Sequence, residues 1–251
     1  MIVSAANPEI KAAWALRHRS ERDATGRFLI EGAAEIDRAV EAGIEVETLY
    51  VLSGVELSQP DRFRRVVEIG ELPYHKIAYG RDGLVAVAVT PGFGLNRLHL
   101  ADPALVLVAE AIEKPGNLGA MLRSADGAGA AVVVADATVD LVNPNVVRAS
   151  IGTLFTVPVA VAGSPEAIGF LKERGIGVAV ATVEGGSEPW RIDLTPSVAL
   201  VIGGEHGGLS DKWLEAADYR LTLPMRGKAD SLNASVTAAV MLYEAVRQRS
   251  V

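Results

Sequence analysis

The sequence contains no cysteine, which excludes a disulfide framework, a thiol nucleophile and thiolate zinc centres. Histidine is scarce as well. His18, His75, His99 and His206 are scattered without paired ligand spacing, so no metal site is expected. Long apolar runs are also missing: the stretch from Ala104 is broken at Glu110, far short of the roughly 18 to 20 residues that cross a bilayer. No membrane partner is expected. The N-terminus has neither a basic leader nor an extended apolar segment, so no export or import is signalled and a cytoplasmic location is expected. The chain lacks a G-x-x-x-x-G-K-[ST] phosphate loop, and Gly127-Ala128-Gly129 precedes a strand-like run rather than following one. Kinase, GTPase and Rossmann-dehydrogenase readings therefore lose ground.

What is present describes a folded chain. Hydrophobic residues make up 49% and charged residues 22% of 251 positions, enough to build a core and sufficient length for two ordinary domains. The net charge of −7 argues against a uniformly basic coat for nucleic acid, although local patches remain possible. One such patch is N-terminal: residues 1–30 carry Lys11, Arg17, Arg19, Arg22 and Arg27 against Glu9, Glu21 and Asp23. On charge alone, a solvated helix face is the preferred explanation.

Short apolar runs alternate with amphipathic stretches from residue 28 onward, giving a strand at 28–30, a helix over 33–42, a strand at 46–52 and an amphipathic stretch at 61–69. Glycine and proline then punctuate residues 79–103 around one strand-like run, 84–89, marking a domain edge. The alternation restarts with a continuously apolar strand at 105–108. Further strands are expected at 132–134, 155–161, 178–181, 198–202 and 219–223, with helices at 165–174, 210–216 and 231–249. This order predicts a mostly parallel α/β sheet covered on both faces. Along the last helix, Leu232, Val236, Val240, Tyr243 and Val246 recur at spacings of three and four, a stripe expected to pack on the domain or on a partner, with the core preferred.

Ligands in open α/β sheets sit beyond the carboxyl ends of the strands, so three loops are candidates. The first runs from Glu110 to Arg123: Asn117 suits a helix cap, Gly119 opens the first turn, and Arg123 is expected on the same side about one and a half turns later, a pattern suited to phosphate. The second, Gly203-Gly204-Glu205-His206-Gly207-Gly208-Leu209, holds too many glycines for a simple turn and can offer main-chain groups to an adenine or ribose. His206 lacks a visible orienting carboxylate and is left unassigned. The third carries Leu223-Pro224-Met225, Arg226, Lys228 and Ser231-Leu232-Asn233-Ala234-Ser235, with Asp230 or Ser231 expected to cap the last helix.

In this order, Asn117-x-Gly119-x-x-x-Arg123, the Gly203–209 loop and Leu223-Pro224-Met225 with Ser231-Leu232-Asn233-x-Ser235 resemble the three motifs of the SpoU (TrmH-like) branch of SPOUT RNA methyltransferases. The similarity is dense over residues 104–249. Residues 4–90, including Arg27-Phe28-Leu29-Ile30-Glu31-Gly32, resemble more loosely the substrate-binding domain that precedes the catalytic domain in ribosomal-RNA members. The resemblance implies an S-adenosyl-L-methionine-dependent enzyme that methylates a ribose 2′-hydroxyl, in ribosomal RNA. Transfer RNA as substrate and a non-catalytic RNA-binding role are the alternatives. It further implies a homodimer, a deep trefoil knot in a C-terminal SPOUT domain, and a smaller N-terminal α/β domain like ribosomal protein L30e. The implied boundaries are 1–90 for RNA binding, 91–103 for a linker and 104–251 for catalysis.

By position, the resemblance assigns catalytic roles to Arg123, Asn117, Asn233, Ser150 and Glu205, the last holding its loop or the dimer. Cofactor contacts fall on Thr182, Ile202, Gly203, Gly208, Leu223, Met225 and Leu232, and RNA contacts on Arg17, Arg19, Arg22, Arg27 and Arg148. A guanidinium is effectively always protonated. Arg123 is therefore expected to grip the neighbouring phosphate and stabilise the developing alkoxide, with the proton going to arginine, phosphate or water.

Overall fold

Strands buried on both faces need continuous apolar sequence, and the second half of the chain supplies it. The computed structural model describes residues 1–80, 82–205 and 207–250. In chain order its elements are α1 (Pro8–Ala15), α2 (Arg19–Thr25), β1 (Arg27–Glu31), α3 (Ala33–Glu41), β2 (Val46–Leu52), β3 (Val66–Ile69), α4 (Glu71–Ile77), β4 (Leu84–Val89), β5 (Leu105–Glu110), α5 (Pro115–Ala128), β6 (Ala131–Ala135), α6 (Pro144–Ala149), β7 (Val159–Ala162), α7 (Ser164–Glu173), β8 (Gly177–Ala181), β9 (Val198–Ile202), α8 (Asp211–Ala216), β10 (Tyr219–Leu221) and α9 (Ala234–Arg249). They form two compact units. One comprises Met1–Pro91 with Asp140–Thr156, the other Gly92–Val139 with Val157–Val251.

The first unit has a four-stranded mixed sheet ordered β1-β4-β2-β3, in which only β2 and β3 run parallel. Ile10, Leu16, Leu29, Ile69, Tyr74 and Ile77 build its core. The amphipathic stretch expected over 61–69 is instead a 3₁₀ turn followed by strand β3, with the helix displaced to α4. A Gly70 start and Glu71 in the first turn favour helix there.

The second unit has six parallel strands ordered β10-β8-β9-β5-β6-β7. β5 and β9 are buried along their whole length, each apolar side chain contributing about 1.5–3 kcal/mol of transfer free energy. The chain proceeds outward from β5 through β6 and β7, then crosses to β8 and returns to β9 beside β5. Strand order thus reverses between β5 and β9, where loops diverge and leave a crevice. The strand expected at 155–161 is shorter: a 3₁₀ turn occupies Thr153–Phe155, and β7 begins at Val159.

The stripe on α9 overturns the expected core packing. Val236, Val240 and Tyr243 are exposed, at 46%, 40% and 52%, while the buried face is Ala234, Ala238, Met241, Leu242 and Ala245. Ala234, Ala238 and Ala245 let α9 lie close upon its own unit beside buried Met241 and Leu242, leaving Val236, Val240 and Tyr243 outward. Arg249 fixes the helix end by donating to the carbonyls of Leu194 at 3.0 Å, Ala104 at 2.9 Å and Pro196 at 2.6 Å.

Candidate active site

The loops after β5, β9 and β10 meet at the carboxyl edge of the parallel sheet. Their local chemistry forces close contact. A Cβ on Gly203 would lie 2.3 Å from the Gly208 carbonyl oxygen, and Gly208 itself has φ +63°. Only glycine meets both demands without strain. Ala111, directly after β5, also has positive φ (49°), and its carbonyl oxygen would sit 3.0 Å from a Cβ on Gly204. Backbone strain of this kind is held in place by surrounding structure.

Here the anchor is buried Glu110. It accepts from the Ser210 amide at 3.0 Å and hydroxyl at 2.6 Å, fixing the end of the glycine loop. Ser164 extends the network, donating at 2.6 Å to Asp136 while accepting from the Trp213 indole at 2.8 Å. The Ser164 hydroxyl and amide hold the Asp136 carboxyl below the usual aspartate range. Neither Glu110 nor Ser210 was singled out from sequence, because their pairing spans a hundred positions.

The segments after β8, β9 and β10, with the start of α9, enclose a cavity of about 420 Å³, within the usual range for small-molecule sites. All seven residues expected to hold cofactor line it: Thr182, Ile202, Gly203, Gly208, Leu223, Met225 and Leu232. Asp230, Ser231, Thr237 and Met241 line it too and were not anticipated. Met241 gives no local signal, since it arrives from the buried face of α9. Apolar walls suit an adenosine. Among the described residues no cationic side chain lines the cavity, whereas Glu205 and Asp230 do, a charge balance that fits a sulfonium and an ammonium better than a polyphosphate.

Beside the cavity, Glu205 gathers polar groups from all three loops. Its carboxylate accepts from the Asn117 amide at 2.9 Å and the Asn233 amide at 2.7 Å, and it pairs with Lys114. Asn233 also donates to the Asn117 side-chain oxygen at 3.2 Å. Two capping expectations are corrected by these contacts. Lys114, not Asn117, occupies the α5 N-cap position, with Pro115 opening the helix. Asn233 caps α9 by accepting from the Ser235 amide at 3.0 Å, in place of Asp230 or Ser231. A proline at the first helical position leaves Asn117 inside the first turn and free to face Glu205.

Arg123 is exposed on α5 and does not line the cavity. Six residues at 100° each place it about 120° around the axis from Asn117, so the two are not on one face. Ser150 lies in the first unit, fully buried, its hydroxyl donating to the Val147 carbonyl at 2.8 Å. That bond commits its one proton and leaves the oxygen able only to accept.

The N-terminal arginines also divide. Arg22 is buried and pairs with Asp140 while donating to the carbonyls of Leu16 and Arg17. A guanidinium so enclosed is a structural ion pair, and its RNA assignment is withdrawn. Arg17 is nearly buried, bound to Glu31 at 3.1 Å and to the Ile77 carbonyl. Arg27 forks onto Glu47, at 2.8 Å through one amino group, and that pairing holds the carboxyl of Glu47 below its usual range. Arg19, facing Asp23 at 3.5 Å, and Arg148 remain exposed. His206 lies outside the described residues.

A parallel α/β sheet with an apolar, acid-edged pocket at the carboxyl ends of β8, β9 and β10, shaped by a glycine loop and flanked by an asparagine–glutamate cluster, defines a small-molecule-binding enzyme class. The chain belongs to the SpoU rRNA Methylase family, whose profile matches residues 104–243. A second profile, the MRM3-like substrate binding domain, matches residues 7–82.

The chain is 36% identical over 250 residues to a 23S rRNA (uridine(2479)-2′-O)-methyltransferase of Streptomyces viridochromogenes, covering 93% of this chain and 87% of that protein. It is 32% identical over 249 residues to the 23S rRNA (guanosine(2553)-2′-O)-methyltransferase RlmP of Bacillus subtilis (strain 168), covering 96% and 97%. Among solved structures, an RNA 2′-O ribose methyltransferase superposes with a TM-score of 0.87 at 43% identity, over 100% of this chain and 99% of that one. The SpoU methyltransferase AviRb from Streptomyces viridochromogenes, in complex with AdoMet, superposes at 0.88 with 33% identity, over 97% and 98%.

Proposed function

We propose that this protein methylates a ribose 2′-hydroxyl of ribosomal RNA with S-adenosylmethionine as donor. The observation that carries the reading is the 420 Å³ cavity, lined by Thr182, Ile202, Gly203, Gly208, Leu223, Met225 and Leu232 and bordered by Glu205. Family membership and the names of both relatives, each a 23S rRNA methyltransferase, support the substrate. The cofactor supplies an electrophilic methyl group. The chain's residues do the rest: the apolar walls hold the adenosine, and Glu205 and Asp230 favour the cationic end.

Glu205 keeps Asn117 and Asn233 in one geometry near the reacting ribose, which matters because small misplacements cost catalysis heavily. Arg123 is assigned to the adjoining phosphate and the developing alkoxide. Its place outside its own cavity supports action in a partner's cavity within a homodimer, and the exposed apolar face of α9, Val236, Val240 and Tyr243, supports that assembly. The two profiles support reading residues 1–90 as RNA-binding, 91–103 as linker and 104–251 as catalytic. The return of the chain from β10 past the glycine loop into α9, with Asn233 on Asn117 and Glu205, supports a deep trefoil knot, and the N-terminal mixed sheet supports an L30e-like domain. Among the described residues no helix is long and apolar enough to cross a membrane, which is compatible with work on ribosomal RNA in the cytoplasm.

Incubating the purified protein with methyl-tritiated cofactor and unmodified ribosomal RNA tests the reading. Label should appear in RNA as a 2′-O-methyl nucleotide. Label in transfer RNA instead, or in no RNA, would overturn it.

A further inference from the structure

Two aromatic side chains stand out on the surface of the first unit, Trp14 at 41% and Tyr79 at 65% exposure. Within the first unit they contrast with Phe28, Tyr50 and Tyr74, which are buried. They are cross-braced. α1 carries Trp14, with Arg17 three residues on; α4 carries Lys76, with Tyr79 three residues on. The Lys76 ammonium lies 5.8 Å from the Trp14 ring centre, and the Arg17 guanidinium lies 3.7 Å from the Tyr79 ring centre. His18 meets Trp14 edge-on at 5.3 Å, and exposed Arg148 stands 5.7 Å from Tyr79.

The braces are themselves fixed. Arg17 is tied to buried Glu31, which also accepts from the Tyr79 and Gly80 amides at 2.8 and 3.2 Å. Lys76 donates to the Ala5 carbonyl at 2.9 Å. The Glu31 carboxylate is thereby consumed from several sides and presents little negative charge outward. Arg17 stacks on one face of Tyr79 and Lys76 stands over Trp14, and each ring still keeps much of its surface in solvent. Duplex RNA offers no free base faces, whereas unpaired nucleotides stack on such rings, their phosphates drawn to neighbouring cations.

We propose that the α1–α4 seam binds single-stranded RNA, with Trp14 and Tyr79 each stacking an unpaired base and with Lys76 and Arg148 facing the flanking phosphates. This rests on the reading above that RNA is the substrate, and it adds that the recognised segment is unpaired. The test uses the full-length protein and measures binding of an oligouridine of about twelve nucleotides and of a duplex RNA of equal length by fluorescence anisotropy. Trp14→Leu and Tyr79→Leu keep apolar bulk but remove the ring, and each should weaken oligouridine binding about tenfold, the scale of losing one stacked base. Duplex binding should stay unchanged. Trp14→Phe and Tyr79→Phe should restore most of the oligouridine affinity, which a loss caused by damaged folding would not do.

Unchanged oligouridine binding by both leucine variants, equal losses on duplex, or no rescue by phenylalanine would overturn the proposal. The tritium assay separates this from the parent reading. Methyl transfer by the wild type alongside normal binding by the variants removes the stacking site and keeps the enzyme. Absent transfer alongside the ring-specific loss keeps the site and removes the enzyme.

Discussion

The polar residues of the parallel-sheet unit converge, whereas the arginines of the N-terminal unit disperse. Asn117, Glu205 and Asn233 come from three loops and meet within hydrogen-bond distance. Arg17, Arg22 and Arg27 lie within eleven positions of one another and end on three separate acids, Glu31, Asp140 and Glu47. Nearness in sequence therefore says little about a cation's availability. The partner decides, and the partner is usually distant along the chain.

The largest effect should come from the dispersed group. Arg22→Met leaves Asp140 unpaired, one of its oxygens already lacking a partner, and should cost about 3–5 kcal/mol in chemical denaturation, as for other broken buried pairs. A loss below about 1 kcal/mol would place Arg22 on the surface after all. In the convergent unit, Arg123→Ala should reduce methyl transfer about 10²- to 10³-fold with cofactor affinity nearly intact, the scale for removing a positioned electrostatic donor. Single-turnover rates and calorimetry separate the two quantities, and near-normal turnover contradicts the assignment.

If Arg123 serves a partner's cavity, Val240→Glu should split the dimer in sedimentation analysis and lower turnover with it. A monomer retaining full activity would show that Arg123 works within its own chain. Arg19→Ala should leave stability unchanged and reduce the slope of log affinity against log salt by about 1, one phosphate contact. An unchanged slope removes Arg19 from the RNA surface. The smallest effect concerns Asp136. Its folded pKa is lowered by Ser164, so its stabilisation is present above the ordinary aspartate range and lost as pH falls through the folded value. Asp136→Asn should therefore flatten the acid-side decline of Tm; an undiminished decline would show that another carboxylate governs it.

Much of the parallel sheet was legible because its strands are apolar without interruption: the run at 198–202 is β9, end for end. The cavity residues were legible because glycine and proline punctuate the loops, and the family resemblance oriented them. What failed was whatever depends on a distant partner. Periodicity weights large apolar residues, so on α9 it selected Val236, Val240 and Tyr243, while the unit's own contact uses small Ala238 and Ala245. Composition also hid the Glu110–Ser210 anchor, since neither residue is unusual alone.

The central claim is that the cavity at the carboxyl ends of β8, β9 and β10 holds the methyl donor. Crystals grown with S-adenosylmethionine should show adenosine against Leu223 and Leu232, the sulfonium on the side of Glu205, and the methyl group open toward the Asn117–Asn233 cluster. Density for the cofactor elsewhere, with this cavity empty at saturating concentration, would contradict the account.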